Sequence, residues 1–372
     1  MKEVTETARQ KAVEVLKICS TKNGLYASGG KSGYASVWAR DSMISMIGAS
    51  YDSGQFRDVF KKSLETLAGH QSKRGQIPND VDIFEKSRKE VTYATIDSSL
   101  WFVLGEYHYK KIFGAKLWKR HGKNIENAMN WVEFQDSGED MMPEQQPTSD
   151  WQDCFPHKYG HTINTQALYY SALSATGRKK IIRKFRKQIN KYLWNGSYFL
   201  PWHWKDHEKY SEKENWFDSL GNMLAIVAGL ATRKQAGSIL DFVEKKKIAE
   251  PYPMKAIYPT IKRGSPEWNE YFQASIAGIP NNYLNGGIWP FIGGFYVCAL
   301  VEAGRKKEAE TELENLARVN RLGKVYEWDF NEWVHPLTKI PEGGRHQAWS
   351  AGCYLLAYHA VIKNNNPLKV KL

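Results

Sequence analysis

Along the chain, apolar positions recur with the 3.6-residue period of helices, and few stretches alternate with the two-residue period of a half-buried strand. Ile96, Leu100, Val103, Leu104 and Tyr107 follow one another at i, i+4, i+7, i+8 and i+11, with Asp97 near the start, where a carboxylate favours the helix dipole. Ile181, Ile182, Phe185, Ile189 and Tyr192 line one face of a second segment whose other face carries Arg183, Lys184, Arg186 and Lys187. The first segment is mostly apolar and the second is two-faced.

That contrast repeats in alternation. Less charged helices are predicted at 41–54, 95–110, 162–176, 218–231, 289–304 and 348–361, and amphipathic, often basic ones at 3–19, 55–71, 116–136, 178–193, 233–246 and 305–319. Six of each pack naturally as six antiparallel hairpins, with the apolar set inside and the amphipathic set as an outer ring. No Gly/Ser-rich or Pro-rich linker interrupts the series. The expectation is therefore an all-α protein in which residues 1–372 form a single (α/α)6 toroid, averaging 62 residues per hairpin (372/6).

The segments that lead into the inner helices are unusual connectors. They contain Trp38-Ala39-Arg40-Asp41, Ile96-Asp97, Asp150-Trp151-Gln152-Asp153, Trp216-Phe217-Asp218, Asn285-Gly286-Gly287-Ile288-Trp289, and a last stretch from Glu332-Trp333 to Gln347-Ala348-Trp349. Inner helices of such a barrel run the same way, so all six segments meet at one end. Of the 14 Trp, eight (Trp38, Trp101, Trp151, Trp216, Trp289, Trp328, Trp333 and Trp349) are expected in or beside this funnel.

Composition narrows the function classes. With 42% hydrophobic and 25% charged residues the chain is ordinary for a globular protein, which excludes disorder as its main state. Cys19, Cys154, Cys298 and Cys353 are too few and scattered for a disulfide framework or a paired-Cys zinc site, so the reducing cytoplasm is the expected location. The charged start, Met1 to Glu6, has no apolar signal core. The longest apolar run, Ile288 to Val301, has 14 residues and reads as a buried helix. It falls short of the roughly 20 a bilayer requires, so no membrane partner is expected. The net charge of +12 raises the question of nucleic acid, but the cations lie mostly in outer-helix runs such as Arg178-Lys179-Lys180 and Lys245-Lys246-Lys247 without a recognition motif. No nucleic-acid partner is expected. Gly29-Gly30 and Gly343-Gly344 are turn signals rather than phosphate loops, and His157, His161, His335 and His346 read as polar loop residues, so neither cofactor nor metal is expected. The sequence is silent on oligomeric state.

A funnel of indole rings, carboxylates and amides suits a sugar, whose C–H face packs on aromatic rings while its hydroxyls need acceptors and donors. Glycoside hydrolysis needs two carboxyls from different loops, one protonated and one ionised. Asp153, among Trp151, Cys154, Phe155 and Pro156, is the first candidate for the acid because poorly solvating neighbours raise a carboxyl pKa; Asp150 competes. Glu332, between Trp328 and Trp333, is the first candidate for the base, with Glu327 as rival and an ion pair to Arg345 as its bland reading. The bland reading of Arg40-Asp41 is a helix N-cap beside a surface ion pair. A sugar epimerase, isomerase or phosphorylase on the same barrel, and a basic binding protein, are the competing classes.

From Trp38 to about Ala360 the chain also resembles the six-hairpin glycosidases, most closely the neutral/alkaline invertases and, nearly as well, the amylo-α-1,6-glucosidase (glycogen-debranching) domains. Trp38-Ala39-Arg40-Asp41 is similar to the sugar-clamping WARD or WGRD segment, Gly75-Gln76-Ile77-Pro78-Asn79 to the debranching GxIPN loop, and Asp97-Ser98-Ser99-Leu100-Trp101 to VDSGFW and DATLW. Asp153, followed by Tyr159-Gly160 and by Gln166, falls on the family's general acid; Glu332 falls on the Glu of WPEYYD, its general base; Gln347 to Gly352 resembles QTWSIAG. The resemblance implies an inverting hydrolase with a glucose-type ring in the −1 position, held by Trp38, Arg40, Asp41, Asp97, Trp151, Gln166, Asn285, Trp289, Gln347 and Trp349. Departures at Cys154-Phe155, Tyr283-Leu284 and Asn164-Thr165 fall on the leaving-group side, which leaves sucrose in doubt.

Overall fold

The computed structural model describes residues 3–29, 34–82 and 91–370, so Gly30 of the first glycine pair lies outside the described residues. Thirteen α-helices are present among them: α1 (Glu3–Cys19), α2 (Ala39–Asp52), α3 (Arg57–Gly69), α4 (Asp97–Phe113), α5 (Lys116–Arg120), α6 (Gly122–Glu133), α7 (Ile163–Ala175), α8 (Lys179–Tyr192), α9 (Ser219–Val227), α10 (Arg233–Lys245), α11 (Pro290–Glu302), α12 (Lys306–Arg321) and α13 (Ala348–Lys363). Helices α2, α4, α7, α9, α11 and α13 each pack on the next, and α13 closes the ring on α2. Helices α1, α3, α6, α8 and α12 pack on that ring from outside. The (α/α)6 toroid expected from the periodicity is the observed fold. Among the described residues no helix is long and apolar enough to cross a membrane.

The two sets differ as a helix buried all round differs from one with a single wet face. Every residue of α7 and α9 is buried, whereas α8 buries only Ile182, Phe185 and Ile189. Small residues bring the inner helices close together. A Cβ on Gly48 of α2 would stand 2.0 Å from the Gly352 carbonyl oxygen of α13, a contact no larger residue permits.

Three boundaries depart from expectation. The outer helix predicted at 116–136 is broken into α5 and α6 at His121, whose Nδ1 lies 2.6 Å from Glu106 Oε1 of α4; Gly122, a poor helix former, follows. Helix α9 ends at Val227 because Gly229 adopts a positive φ of 76°, the usual helix stop. Helix α2 begins two residues early, so Trp38 occupies the N-cap and Asp41 lies within the first turn.

Short antiparallel strands, unread in the sequence, precede the inner helices. Val37–Trp38 pairs with Asp80–Val81, His161–Thr162 with Trp202–Asp206, Phe217–Asp218 with Ile257–Tyr258, and Trp333–Val334 with Pro341–Glu342. Ile288 bridges both Lys255 and Val334. These pairs tie neighbouring loops into a collar at the N-terminal ends of the inner helices.

Candidate functional site

A cavity with about 420 Å³ of free space opens at this collar. Loop 1 and the start of α2 supply Trp38, Arg40 and Asp41; the third loop supplies Trp151 and Asp153; the fifth supplies Tyr283 and Trp289; the last supplies Glu332, Gln347 and Trp349. Since α7 and α13 are three places apart in a ring of six, Asp153 and Glu332 enter from opposite arcs.

Glu332 is buried, and its carboxylate is held by the protein. Its Oε2 accepts from the Gly344 backbone N–H at 2.8 Å, and its Oε1 accepts from the Tyr283 hydroxyl at 3.2 Å, with the Tyr34 hydroxyl farther off at 3.5 Å. Burial raises its pKa, the Gly344 and Tyr283 hydrogen bonds work against that, and the Asp153 charge adds to the rise. The turn beneath it requires glycine: Gly343 has φ 70°, and a Cβ there would meet Glu332 Oε2 at 2.3 Å. Arg345 does not pair with Glu332. Its guanidinium is bidentate on buried Asp329, at 2.8 and 2.6 Å. The rival Glu327 is exposed and paired with Arg321 at 2.8 Å, away from the cavity.

Asp153 contrasts with this. Its side chain keeps solvent contact while protein crowds it on other sides. That crowding raises its pKa, and the Arg40 charge pulls the other way. Its loop is pinned from below: Lys158, fully buried, lies 2.9 Å from Asp150 and 3.0 Å from Asp218. Burial would strip the Lys158 proton, but two carboxylates hold its pKa above the ordinary value. Asp150 is therefore consumed by this ion cluster and does not line the cavity.

Arg40 is neither exposed nor part of an N-cap. Its Nη1 contacts both Asp97 oxygens, at 3.2 and 3.0 Å, beneath the cavity floor. Burial works against the charge on Arg40, yet Asp97, Asp41 and Asp153 together keep its pKa above the ordinary value. Burial pushes Asp41 up to about 7 against the pull of Arg40. The aromatic wall is rigid: Trp289 meets Trp151 and Trp349 edge-on at 5.5 and 5.8 Å, and Trp349 stacks on Phe291 at 4.2 Å. Five buried donors of this wall have no partner among the described residues: the indole N–H groups of Trp38, Trp151 and Trp349, Arg40 Nε and Gln347 Nε2. An unpaired buried donor costs about 1–3 kcal/mol, which an oxygen-rich ligand would offset.

Of the ten residues expected to hold substrate, seven line the cavity and three do not. Asp97 is fully buried behind Arg40, which uses both its oxygens. Gln166 donates to the Pro143 carbonyl at 2.7 Å, inside the ring. Asn285 staples its own loop, donating to the Ile261 and Gly278 carbonyls and accepting from Ile261 N–H. Among the eight funnel tryptophans, Trp101 packs on Phe295 in the core, Trp216 donates to Glu214, Trp333 meets the cavity residue Tyr283 with ring centres 6.1 Å apart, and neither Trp333 nor Trp328 lines the cavity. His161 is buried against Asp140 and Glu144 rather than exposed on a loop. The sequence pattern did not point to Tyr283 or Tyr34. Tyr283 lies in a segment flagged only as a departure from the invertase pattern, and Tyr34 had no local signal.

Two family models match. The one described as alkaline and neutral invertase covers residues 208–365, and the one described as amylo-alpha-1,6-glucosidase covers residues 10–133. Alkaline/neutral invertase E, chloroplastic, from Arabidopsis thaliana is 32% identical over 143 residues, covering 38% of this chain and 22% of that protein. Probable alkaline/neutral invertase A, chloroplastic, from the same plant is 24% identical over 326 residues, covering 70% of this chain and 50% of that protein. The chain thus spans half or less of the length of these two curated relatives. The solved mannosylglycerate hydrolase from Thermus thermophilus in complex with glucose superposes with a TM-score of 0.71 at 14% identity, over 94% of this chain and 99% of that one. A bacterial glucoamylase complexed with acarbose gives 0.68 at 16% identity, over 98% and 56%.

The two family matches, together with the (α/α)6 fold shared with these solved structures, support the six-hairpin glycosidase superfamily for this chain. The two family matches meet at the cavity, one carrying Trp38, Arg40 and Asp41 and the other Glu332, Gln347 and Trp349. Asp153 and its loop lie between the matched stretches, so its assignment leans on geometry more heavily than that of Glu332.

Proposed function

We propose that the protein is a glycoside hydrolase that cleaves an α-glucosidic bond in a small oligosaccharide or at an α-glucan end, with inversion. The observation that carries this reading is the cavity itself: carboxyls from opposite loops set among five buried donors that lack partners among the described residues, with indole rings for a sugar's apolar face. Asp153, which meets no side-chain donor among the described residues, is the general acid and gives its proton to the leaving oxygen. Glu332, whose ionised form is favoured by Gly344 and Tyr283, accepts a proton from water as that water attacks the anomeric carbon from the opposite face. Positive charge that builds on the sugar ring is stabilised by a cavity with three carboxyls and one cation already paired to Asp97. Arg40, Asp41 and Gln347 hold the hydroxyls.

The same charge balance disfavours a phosphorylase, because among the described residues the cation that lines the cavity, Arg40, is already paired with Asp97. Among the described residues no histidine lines it to serve as an epimerase acid or base. The substrate partner is a carbohydrate. A cytoplasmic setting fits four free cysteines, and Cys154, its thiol pushed up to about 12 by burial, is a poor nucleophile; the named relatives include chloroplastic forms. The reading is tested with sucrose, trehalose, maltose, isomaltose, panose and limit dextrin, scored by NMR for released glucose and its anomer. Release of β-glucose first from one of these is expected. Absence of release from all six, or the cleaved glucosyl unit appearing first as α-glucose, overturns it.

A further inference from the structure

A second and larger groove, with about 1390 Å³ of free space, is lined by the rings of Tyr159, Trp202, Tyr192 and Trp194. It contains none of the groups assigned to the chemistry above. Its wall is nevertheless built for a ligand with both apolar faces and hydroxyls. Tyr159 lies over Trp202 with ring centres 4.5 Å apart, and its hydroxyl donates to Glu212 Oε2 at 2.7 Å. The Trp202 indole N–H is buried; it is close enough to influence the Glu214 carboxyl, but makes no hydrogen bond of ordinary geometry. Glu214 accepts from the Trp216 indole, and burial raises its own pKa to about 7, so it both donates and accepts near neutrality. Lys191 and Lys213 stand with Glu212, Glu214 and Glu267 around the rim. That near balance favours a neutral polar ligand over a polyanion or a cation.

One segment of the chain links the groove to the acid side of the catalytic cavity. Tyr159 stands six residues beyond Asp153, on the segment fixed by the Lys158 ion cluster and by His157 Nδ1, 2.6 Å from the Tyr271 hydroxyl. The general acid marks the leaving-group side of a scissile bond. We infer that this groove binds sugar units of an extended glucan on the leaving-group side, so that the substrate is a chain rather than a disaccharide. The inference rests on the hydrolase reading with Asp153 as acid.

Calorimetric titration of the full-length Glu332→Gln protein with maltoheptaose, maltose and cellohexaose reads the groove without turnover. Maltoheptaose is expected to bind at least about tenfold more tightly than maltose or cellohexaose. Tyr192→Ala and Trp194→Ala, each added to that background, should remove the advantage, and Tyr192→Phe should keep it, with unchanged melting temperatures as the check on folding. With Glu332 restored, the alanine variants should hydrolyse short substrates normally but lose the rise of kcat/KM with chain length. Equal binding of maltose and maltoheptaose, preference for cellohexaose, or an advantage that survives both alanine variants overturns the inference. Groove-dependent binding in a protein that releases no sugar would sink the hydrolase reading while leaving the glucan site standing.

Discussion

The two arcs of the cavity hold their carboxyls in opposite ways. On the Glu332 side the carboxylate itself is gripped, by a backbone N–H, a tyrosine hydroxyl and a turn that admits only glycine. On the Asp153 side the carboxyl keeps solvent contact, and what is gripped is its loop, through Lys158 between Asp150 and Asp218. Donors aimed at a carboxylate favour its ionised form, whereas crowding without donors favours the protonated one. One arrangement suits a base that must stay charged and the other an acid that must carry a proton.

The largest effects test the comparison at its centre. Asp153→Asn and Glu332→Gln are each expected to lower kcat on an oxygen-linked substrate by about 10² to 10⁴-fold, with unchanged circular dichroism. Lys158→Met breaks the support of the acid loop alone. It leaves buried carboxylates without their cation, and chemical denaturation should show a loss of about 3–5 kcal/mol.

Smaller effects sharpen the electrostatics. Asp41 titrates near 7 in the folded protein, above an unfolded value of about 3.9, so the stability it contributes is complete below about pH 4 and is lost as pH rises through 7. Asp41→Asn should therefore gain on the parent between pH 4 and 8, by about 2–4 kcal/mol at the alkaline end, in urea melts across that range. Tyr283→Phe removes one donor that lowers the Glu332 pKa. The acidic limb of the pH–rate profile should then move to higher pH, while the alkaline limb, which the proposed acid Asp153 would set, stays in place.

The difference between the arcs also explains what was legible in the chain. The ring was, because six helices buried all round alternate with six that keep a polar face, and that contrast survives in a single sequence. Glu332 and Asp153 were legible as carboxyls flanked by aromatics, and both reach the cavity. Asp97, Gln166 and Asn285 sit in equally suggestive motifs, yet they are turned inward, since a polar side chain near the funnel serves a guanidinium or a backbone group as readily as a ligand. The collar was invisible because two-residue strands have no period. The Lys158 cluster was hidden for another reason: its partners are 8 and 60 residues away, and a lone lysine in a loop usually reads as solvated.

The most direct test of the division of labour compares Asp153→Asn and Glu332→Gln on α-glucosyl fluoride, whose leaving group departs without a proton. The account predicts that Asp153→Asn hydrolyses the fluoride within about tenfold of the parent while failing on oxygen-linked substrates, and that Glu332→Gln fails on both. Rescue of Glu332→Gln by the fluoride, with Asp153→Asn inactive on it, would contradict the assignment.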